Sequence, residues 1–234
     1  MPPSNASRGD QPQSSIGFTI FISSRLLSPA IQYAVLANGY GDSLIRAMGG
    51  TVLPQYPALI NNLSTTRGIL LGMSAIAALK HVIHITAIMN GRMEPSFAIE
   101  QALYNDVSDT IASLLLICAQ TSANPSPFPQ ASMLVGAAFF AIGIGLELGS
   151  EVQRSLWKRD PANKGKVYEH GGFGLSRHIN YFGFTLWRTG YAIASGGFVL
   201  GAVGAFWASY SFINGSIPRL QQYLEKKVRQ IWHG

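Results

Sequence analysis

The chain has 234 residues, of which 12% are charged and 47% are hydrophobic. Soluble domains carry about a quarter charged residues, so this composition excludes an ordinary water-facing surface and predicts an integral membrane protein. The net charge of +6 would also suit nucleic-acid binding, but the excess basic residues lie beside apolar segments, and a nucleic-acid partner is not expected.

The N-terminal residues 1–15 are polar and rich in proline and serine, which predicts a disordered tail and not a signal peptide. Residues 16–234 are predicted to form one integral-membrane domain, an all-α bundle of about six spans. The apolar segments that predict these spans are residues 26–48, 68–89, 107–123, 131–149 and 181–213. The last segment is too long for one helix and has Gly196-Gly197 near its middle, so it predicts two short, closely packed helices.

The excess positive charge lies in two segments near the C-terminus. Residues 151–180 contain six basic and three acidic side chains, and residues 217–234 contain four basic and one acidic. Basic segments beside membrane spans stay in the cytosol, so both are predicted to face it. Residues 217–232 place apolar side chains near helical spacing. They predict a helix on the cytosolic leaflet or one packed on the cytosolic mouth of the bundle.

A charged stripe begins within the apolar segment 131–149 and continues beyond it. Glu147, Glu151, Arg154 and Lys158 follow one another at intervals of three or four residues, so they share one face of a continuous helix. A solvated face is the ordinary explanation of such a stripe. Glu147, however, lies at membrane depth, where a carboxylate normally faces a partner or a polar cavity. The stripe therefore predicts a binding site.

A basic, glycine-containing loop follows the stripe and leads to Arg177, His178 and Asn180. Glycines allow backbone amides to approach an anion, and guanidinium, imidazole and amide groups suit phosphate, carboxamide and ribose hydroxyl groups. Carboxylates, cations and aromatic residues together predict a nucleotide cofactor. The glycines at 171–174 do not fit Gly-x-Gly-x-x-Gly, and no strand–helix alternation surrounds them, so a Rossmann domain is not expected. No metal site is predicted.

The order of these residues resembles the steroid 5α-reductase superfamily, in particular its fungal and bacterial branch of integral-membrane proteins. The resemblance covers about residues 140–190. The stretches that carry it are Glu147-x3-Glu151-x-Gln153, Trp157-Lys158, Asn163-Lys164-Gly165-Lys166 and Gly174-Leu175-Ser176-Arg177-His178-Ile179-Asn180-Tyr181-Phe182-Gly183.

The resemblance implies an enzyme of intracellular membranes, such as the endoplasmic reticulum, that binds NADPH on the cytosolic side. Such enzymes reduce a polarised C=C bond of a sterol, enone, terpenoid or polyprenoid, so a hydrophobic small molecule is the implied substrate. The residues that the resemblance assigns to the cofactor are Glu151, Lys158, Asn163, Lys164, Arg177, His178, Asn180 and Tyr181.

Two residues depart from the family pattern. Ile179 replaces a proline, which changes local backbone stiffness. Phe184 replaces a glutamate that lies close to the nicotinamide and the substrate in the family, and an apolar ring cannot relay a proton. The residues that could take over the catalytic role are Tyr104, His84 and Glu147.

Two other functions stay open. A methyltransferase resembling the isoprenylcysteine carboxyl methyltransferases would share an Arg-His-Pro-x-Tyr-x-Gly segment and the membrane architecture. Asn180 and the Asn-Lys-Gly turn at 163–165 favour the reductase over it. Phe184 also motivates a non-reducing relative, such as a cyclase, an isomerase or a scaffold.

Overall fold

The computed structural model describes residues 15–55, 63–89, 93–222 and 225. Within them the chain forms helices and connecting turns, and no strand is present, so the predicted all-α bundle is confirmed. The helices are α1 (Ser15–Ala37), α2 (Tyr40–Ala47), α3 (Thr65–Ile83), α4 (Pro95–Ile117), α5 (Ala131–Arg159), α6 (Gly172–Leu175) and α7 (Ile179–Ser211). Two π-helical turns, His84–Ile88 and Phe212–Ser216, extend α3 and α7.

Two predictions fall wholly or mostly outside the described part of the chain. The tail predicted at 1–15 lies outside it except for Ser15, where α1 begins. Of the helix predicted at 217–232, residues 217–222 are described and are helical.

Four helical segments are long and apolar enough to cross a membrane, which agrees with a multi-span protein. They are Ser15–Ala37, Thr65–Ile88, Ala131–Arg159 and Ile179–Gln222. The segment α4 has 23 residues and would also reach across a bilayer of about 30 Å at 1.5 Å per residue, although it contains several carboxylates.

The long segment after Ile179 is a hairpin of two helices. Gly197 has φ 88° and ψ −177°, a conformation that is not helical and that glycine alone adopts readily. Beyond this bend, the Phe212 ring stacks on that of Tyr181 with 4.5 Å between their centroids. In a straight helix these residues would lie about 45 Å apart, so the two arms run antiparallel. The two short, packed helices predicted for 181–213 are present, and counting both arms together with α4 gives about the predicted number of spans.

The predicted bounds of two early spans are wrong. The span predicted at 26–48 begins instead at Ser15, and Gly39, with φ 77°, separates α1 from α2. The span predicted at 107–123 begins at Pro95. Hydropathy missed both starts because the two helices bury polar groups against each other.

These polar groups form an interface between α1 and α4. Arg25 is fully buried, and it donates to Asp106 Oδ1 at 2.7 Å and to Asp109 Oδ2 at 3.1 Å. About two turns further along α1, Gln32 accepts from Ser113 Oγ at 2.7 Å and donates to Thr110 Oγ1 at 3.1 Å. An arginine at this depth is tolerated only when its charge is paired. The interface therefore fixes α4, which forms one wall of the cavity described below.

Helices α5 and α7 are brought together by small residues instead. A Cβ atom on Gly143 would lie 2.3 Å from the backbone nitrogen of Trp187, and one on Gly183 would lie 2.6 Å from that of Glu147. Only glycine permits such close approach of two helices. The contact places Glu147 of α5 directly beside Trp187 of α7.

Candidate functional site

A cavity of about 810 Å³ lies where the charged end of α5 meets the beginning of α7. Its other walls come from α4, from the π-helical turn that follows α3 and from the second arm of the α7 hairpin. Helix α5 has 29 residues, about 44 Å, and is longer than the hydrocarbon core is thick. It can therefore carry charged side chains out of the apolar region without a break.

Glu147 is held by two donors at the inner end of the cavity. Lys80 Nζ donates to its Oε1 at 2.6 Å, and Trp187 Nε1 donates to its Oε2 at 2.6 Å. Lys80 is buried, with 4% of its side chain exposed, and lies 5.2 Å from the centre of a Trp187 ring. Both oxygens of Glu147 are therefore engaged in holding α3, α5 and α7 together.

Glu151 occupies the corresponding position one turn closer to the mouth. Asn180 Nδ2 donates to its Oε1 at 2.8 Å, and Arg154 forms an ion pair with its Oε2. Two residues further along α5, Gln153 Oε1 accepts from the backbone nitrogen of Gly172 at 3.2 Å and holds the glycine loop against α5. These bonds fix the start of α7 beside the charged stripe.

A group of aromatic rings, the aromatic end of the cavity, lines it from the two arms of α7. His178, Tyr181 and Phe212 stack in parallel planes, with 5.4 Å and 4.5 Å between successive centroids. Phe184 packs edge-on against Phe212 and against Trp187, at 5.4 Å in each case. Phe212 reaches this position because it opens a π-helical turn, a feature frequent at functional sites.

The charges that line the cavity are balanced. Its carboxylates are Glu100, Glu147 and Glu151, and its guanidinium groups are Arg154, Arg177 and Arg219. Burial, and then the charge of Arg177, lower the pKa of His178, so this imidazole is neutral at pH 7. In the described part of the chain no cluster of His, Cys, Asp or Glu side chains could hold a metal ion.

The structure brings most of the predicted site residues to this one cavity. The catalytic candidates that line it are Tyr104, His84 and Glu147, and the cofactor residues that line it are Glu151, Arg177, His178, Asn180 and Tyr181. Their chemical roles stay predictions.

Three predicted cofactor residues do not line the cavity. Helix α5 ends at Arg159, and the side chain of Asp160 accepts from Ala162 N at 2.9 Å and turns the chain aside. Asn163 Nδ2 closes this turn by donating to the carbonyl of Trp157 at 2.9 Å. Lys158 lies on the last turn of α5 outside the lining, and Lys164 is exposed on the loop. Residues that lie close to Glu147 and Glu151 in the sequence are therefore not all close to the cavity in space.

Sequence reasoning missed several residues of the cavity. Lys80, which lies behind the lining and holds Glu147, gave a signal because a charge at membrane depth needs a partner, but spacing did not show that this partner is Glu147. Trp207 and Phe212 gave none, since they are apolar residues in an apolar helix. Glu100 and Gln101 belong to the part of α4 that hydropathy left out of the predicted span.

The model of a family described as a protein of unknown function, DUF1295, matches residues 84–230. A probable O-methyltransferase, ustE of Ustilaginoidea virens, is 34% identical over 234 residues, covering 94% of this chain and 82% of the relative. No solved structure matches the chain. The chain thus belongs to the DUF1295 family, a steroid 5α-reductase-like family of membrane proteins.

Proposed function

We propose that the protein is a membrane O-methyltransferase that binds S-adenosylmethionine in the cavity between α4, α5 and α7. The name of the relative, a probable O-methyltransferase, supports this reaction class. The observation that carries the proposal is the aromatic end of the cavity, where Phe184 stands in place of the carboxylate of the related reductases.

Aromatic rings suit the cationic centre of S-adenosylmethionine. The faces of Phe, Tyr and Trp attract organic cations, and cages of such rings recognise methylated ammonium groups. A sulfonium is a cation of the same kind. Tyr181 is stacked between His178 and Phe212, so the rings that would offer such a surface are those of Phe184 and Phe212.

The charged end suits the remainder of the same molecule. Arg177 would bind the carboxylate of its amino-acid part. Asn180 and Glu151 would bind ribose hydroxyl groups, since a carboxylate oxygen that already accepts one bond keeps capacity for another. A balanced set of carboxylates and guanidinium groups fits a ligand that has both a carboxylate and cationic groups.

When bound, S-adenosylmethionine supplies an electrophilic methyl group. The protein would hold this group against the acceptor, and the surrounding rings would exclude water from the reacting atoms. Glu147 would keep α3 and α7 at fixed distances from α5, because it bonds Lys80 of α3 and Trp187 of α7. The aromatic and charged ends of the cavity would then keep their relative positions.

NADPH-dependent reduction is the second candidate, and the Asn180–Glu151 hydrogen bond favours it. That bond joins two residues which the resemblance to steroid 5α-reductases assigns to NADPH. Two of the cations that the resemblance assigns to the cofactor, Lys158 and Lys164, lie outside the cavity, however, and one of the three guanidinium groups that line it, that of Arg154, is paired with Glu151.

Equilibrium binding to the detergent-purified protein distinguishes the two candidates. We expect S-adenosylmethionine and S-adenosylhomocysteine to bind and NADPH not to bind. The double variant Arg177→Ala, Asn180→Ala should lose this binding, whereas Lys164→Ala, a matched change outside the cavity, should keep it.

Other results would overturn the proposal. Binding of NADPH, with its oxidation by an enone and loss of both in Asn180→Ala, would establish the reductase. Binding of neither cofactor would contradict both candidates and favour a cyclase, an isomerase or a scaffold.

A further inference from the structure

We infer that the methyl acceptor is a hydroxyl group, of a phenol, an enol or an alcohol, and that His84 takes its proton. This inference rests on the proposed methyl transfer. It adds the chemical class of the acceptor and a catalytic role for one residue of the cavity.

The two kinds of oxygen acceptor make different demands on a protein. A carboxylic acid is already ionised at neutral pH and needs no base to become a nucleophile. A hydroxyl group is a weak nucleophile until its proton is removed, so its methylation calls for a base within hydrogen-bond reach. The presence of an available base in the cavity therefore distinguishes the two classes.

The deep carboxylates of the cavity already accept a donor at each oxygen, which distinguishes them from His84. Glu147 accepts from Lys80 and from Trp187, one bond at each oxygen. Glu151 accepts from Asn180 at one oxygen and pairs with Arg154 at the other. Each oxygen of these two carboxylates thus already faces a donor, with which the hydroxyl group of an acceptor would have to compete.

His84 is the deep basic group that remains. It lines the cavity at the first position of the π-helical turn after α3, and its side chain makes no hydrogen bond with another described residue. Its carbonyl accepts from Met89 N at 2.8 Å, which closes the turn. The charged groups around it are Lys80 on its own helix and Glu147, Glu151 and Arg154 on α5.

The other basic groups of the lining are placed differently. His178 is stacked on Tyr181 at the start of α7, and Glu100 is exposed in the first turns of α4. Tyr104 offers a hydroxyl group, which carries a proton of its own. A neutral imidazole at His84 is thus the group best matched to the proton of a hydroxyl acceptor.

The step balances without a further reactant. The acceptor oxygen forms a bond to the methyl carbon as the carbon–sulfur bond breaks, and the electron pair of that bond stays on sulfur. A ring nitrogen of His84 takes the hydroxyl proton and releases it to water. The products are a methyl ether and S-adenosylhomocysteine.

The test compares two phenols of similar size and apolarity, one un-ionised at the assay pH and one carrying a nitro group that ionises it. His84→Ala should lower methylation of the un-ionised phenol by about 10²- to 10⁴-fold, the usual contribution of a general base. It should lower methylation of the nitrophenol little, because that acceptor has already lost its proton.

His81→Ala is the matched control. His81 lies in the last turn of α3. Its ring is between those of Phe21 and Trp187, with 5.9 Å and 6.1 Å between the centroids, and it does not line the cavity. Any effect of this change should be equal for the two phenols, since it can act only through packing.

A second readout does not depend on turnover. With S-adenosylhomocysteine bound, a nitrophenol whose pKa lies near the assay pH should become more ionised on binding to the wild-type protein, as measured by its phenolate absorbance. His84→Ala should abolish this increase, and His81→Ala should keep it.

Each contrary result has a distinct meaning. If His84→Ala lowers methylation of both phenols equally, or leaves the increase in phenolate absorbance unchanged, His84 has only a structural role. Methylation of carboxylic acids but of no phenol, enol or alcohol would overturn the acceptor class and leave the methyltransferase in place. Failure of the wild-type protein to bind S-adenosylmethionine would overturn the proposed function itself.

Discussion

The two principal helix interfaces of this protein are held together by opposite means. Helices α1 and α4 meet through buried ion pairs and hydrogen bonds, with Arg25 between Asp106 and Asp109. Helices α5 and α7 meet through glycines that let their backbones touch, at Gly143 and Gly183. The first interface fixes one wall of the cavity by charge, and the second carries the cavity's own carboxylates on closely packed backbone. Stability and function should therefore respond differently to changes in each.

The largest expected effect is at the charged interface. Asp109→Leu would remove the carboxylate that Arg188 now bonds at 3.2 Å and would leave Arg25 with Asp106 alone. Removing one partner of a buried ion pair costs about 3–5 kcal/mol, so the free energy of unfolding in detergent should fall by that amount. Ser108→Ala, which removes a hydroxyl bonded only to the backbone of its own helix, should change it little. Equal stability of the two variants would mean that the ion pairs do not hold α1 to α4.

A somewhat smaller effect is expected at the glycine interface. Gly143→Ala would place a methyl group 2.3 Å from the backbone of Trp187, so α5 and α7 would have to separate. Overpacking of this kind costs about 1–3 kcal/mol. It should also weaken cofactor binding, because the Trp187 bond to Glu147 at 2.6 Å would lengthen.

The control for that change lies on the same helix. A Cβ atom on Gly145 meets nothing within 4 Å, so Gly145→Ala should keep or raise the melting temperature through its better helix propensity. If both alanine variants bind the cofactor as the wild type does, the close contact of α5 and α7 is not what positions the site.

A change within the aromatic end should alter affinity more than stability. Phe184→Leu keeps an apolar side chain of moderate size but removes a ring that could face a sulfonium. We expect S-adenosylmethionine to bind about threefold to thirtyfold more weakly, as the loss of one cation–π contact predicts. Binding of S-adenosylhomocysteine, whose sulfur is uncharged, should stay the same. A parallel loss of both ligands in titration calorimetry would show that the ring acts only by its shape.

The smallest expected effect concerns pH. The pKa of His178 is lowered from its ordinary value of 6.5, first by burial and then by Arg177. Below pH 6.5 His178 therefore binds a proton in the unfolded chain but not in the folded chain. The free energy of unfolding falls as the pH falls towards the lowered pKa. Above pH 6.5 this group adds no pH dependence. The decrease in melting temperature between about pH 7 and pH 5 should be slightly smaller in His178→Gln. An unchanged decrease would contradict this contribution.

The same contrast explains what could be predicted from the sequence. The glycine pair at 196–197 and the stripe from Glu147 to Arg154 depend on spacing within a single segment, so the hairpin and the shared helix face were predictable. The bounds of α1 and α4 were not, because their polar residues lower hydropathy and are satisfied only by each other. Likewise, the partner of Lys80 lies on a distant helix, and spacing along one chain segment does not show it.

The bend at Gly197 also orders the assembly of the site. The carboxylate wall belongs to α5 and the first arm of α7, whereas Trp207 and Phe212 come after the bend and complete the aromatic wall. Chains are synthesised from the N-terminus, so Trp207 and Phe212 are added after the rest of the cavity lining that precedes the bend. A chain that ends before Gly197 thus contains the residues of these ion pairs but lacks Trp207 and Phe212. The cavity is complete only when the second arm packs against the first and Phe212 stacks on Tyr181.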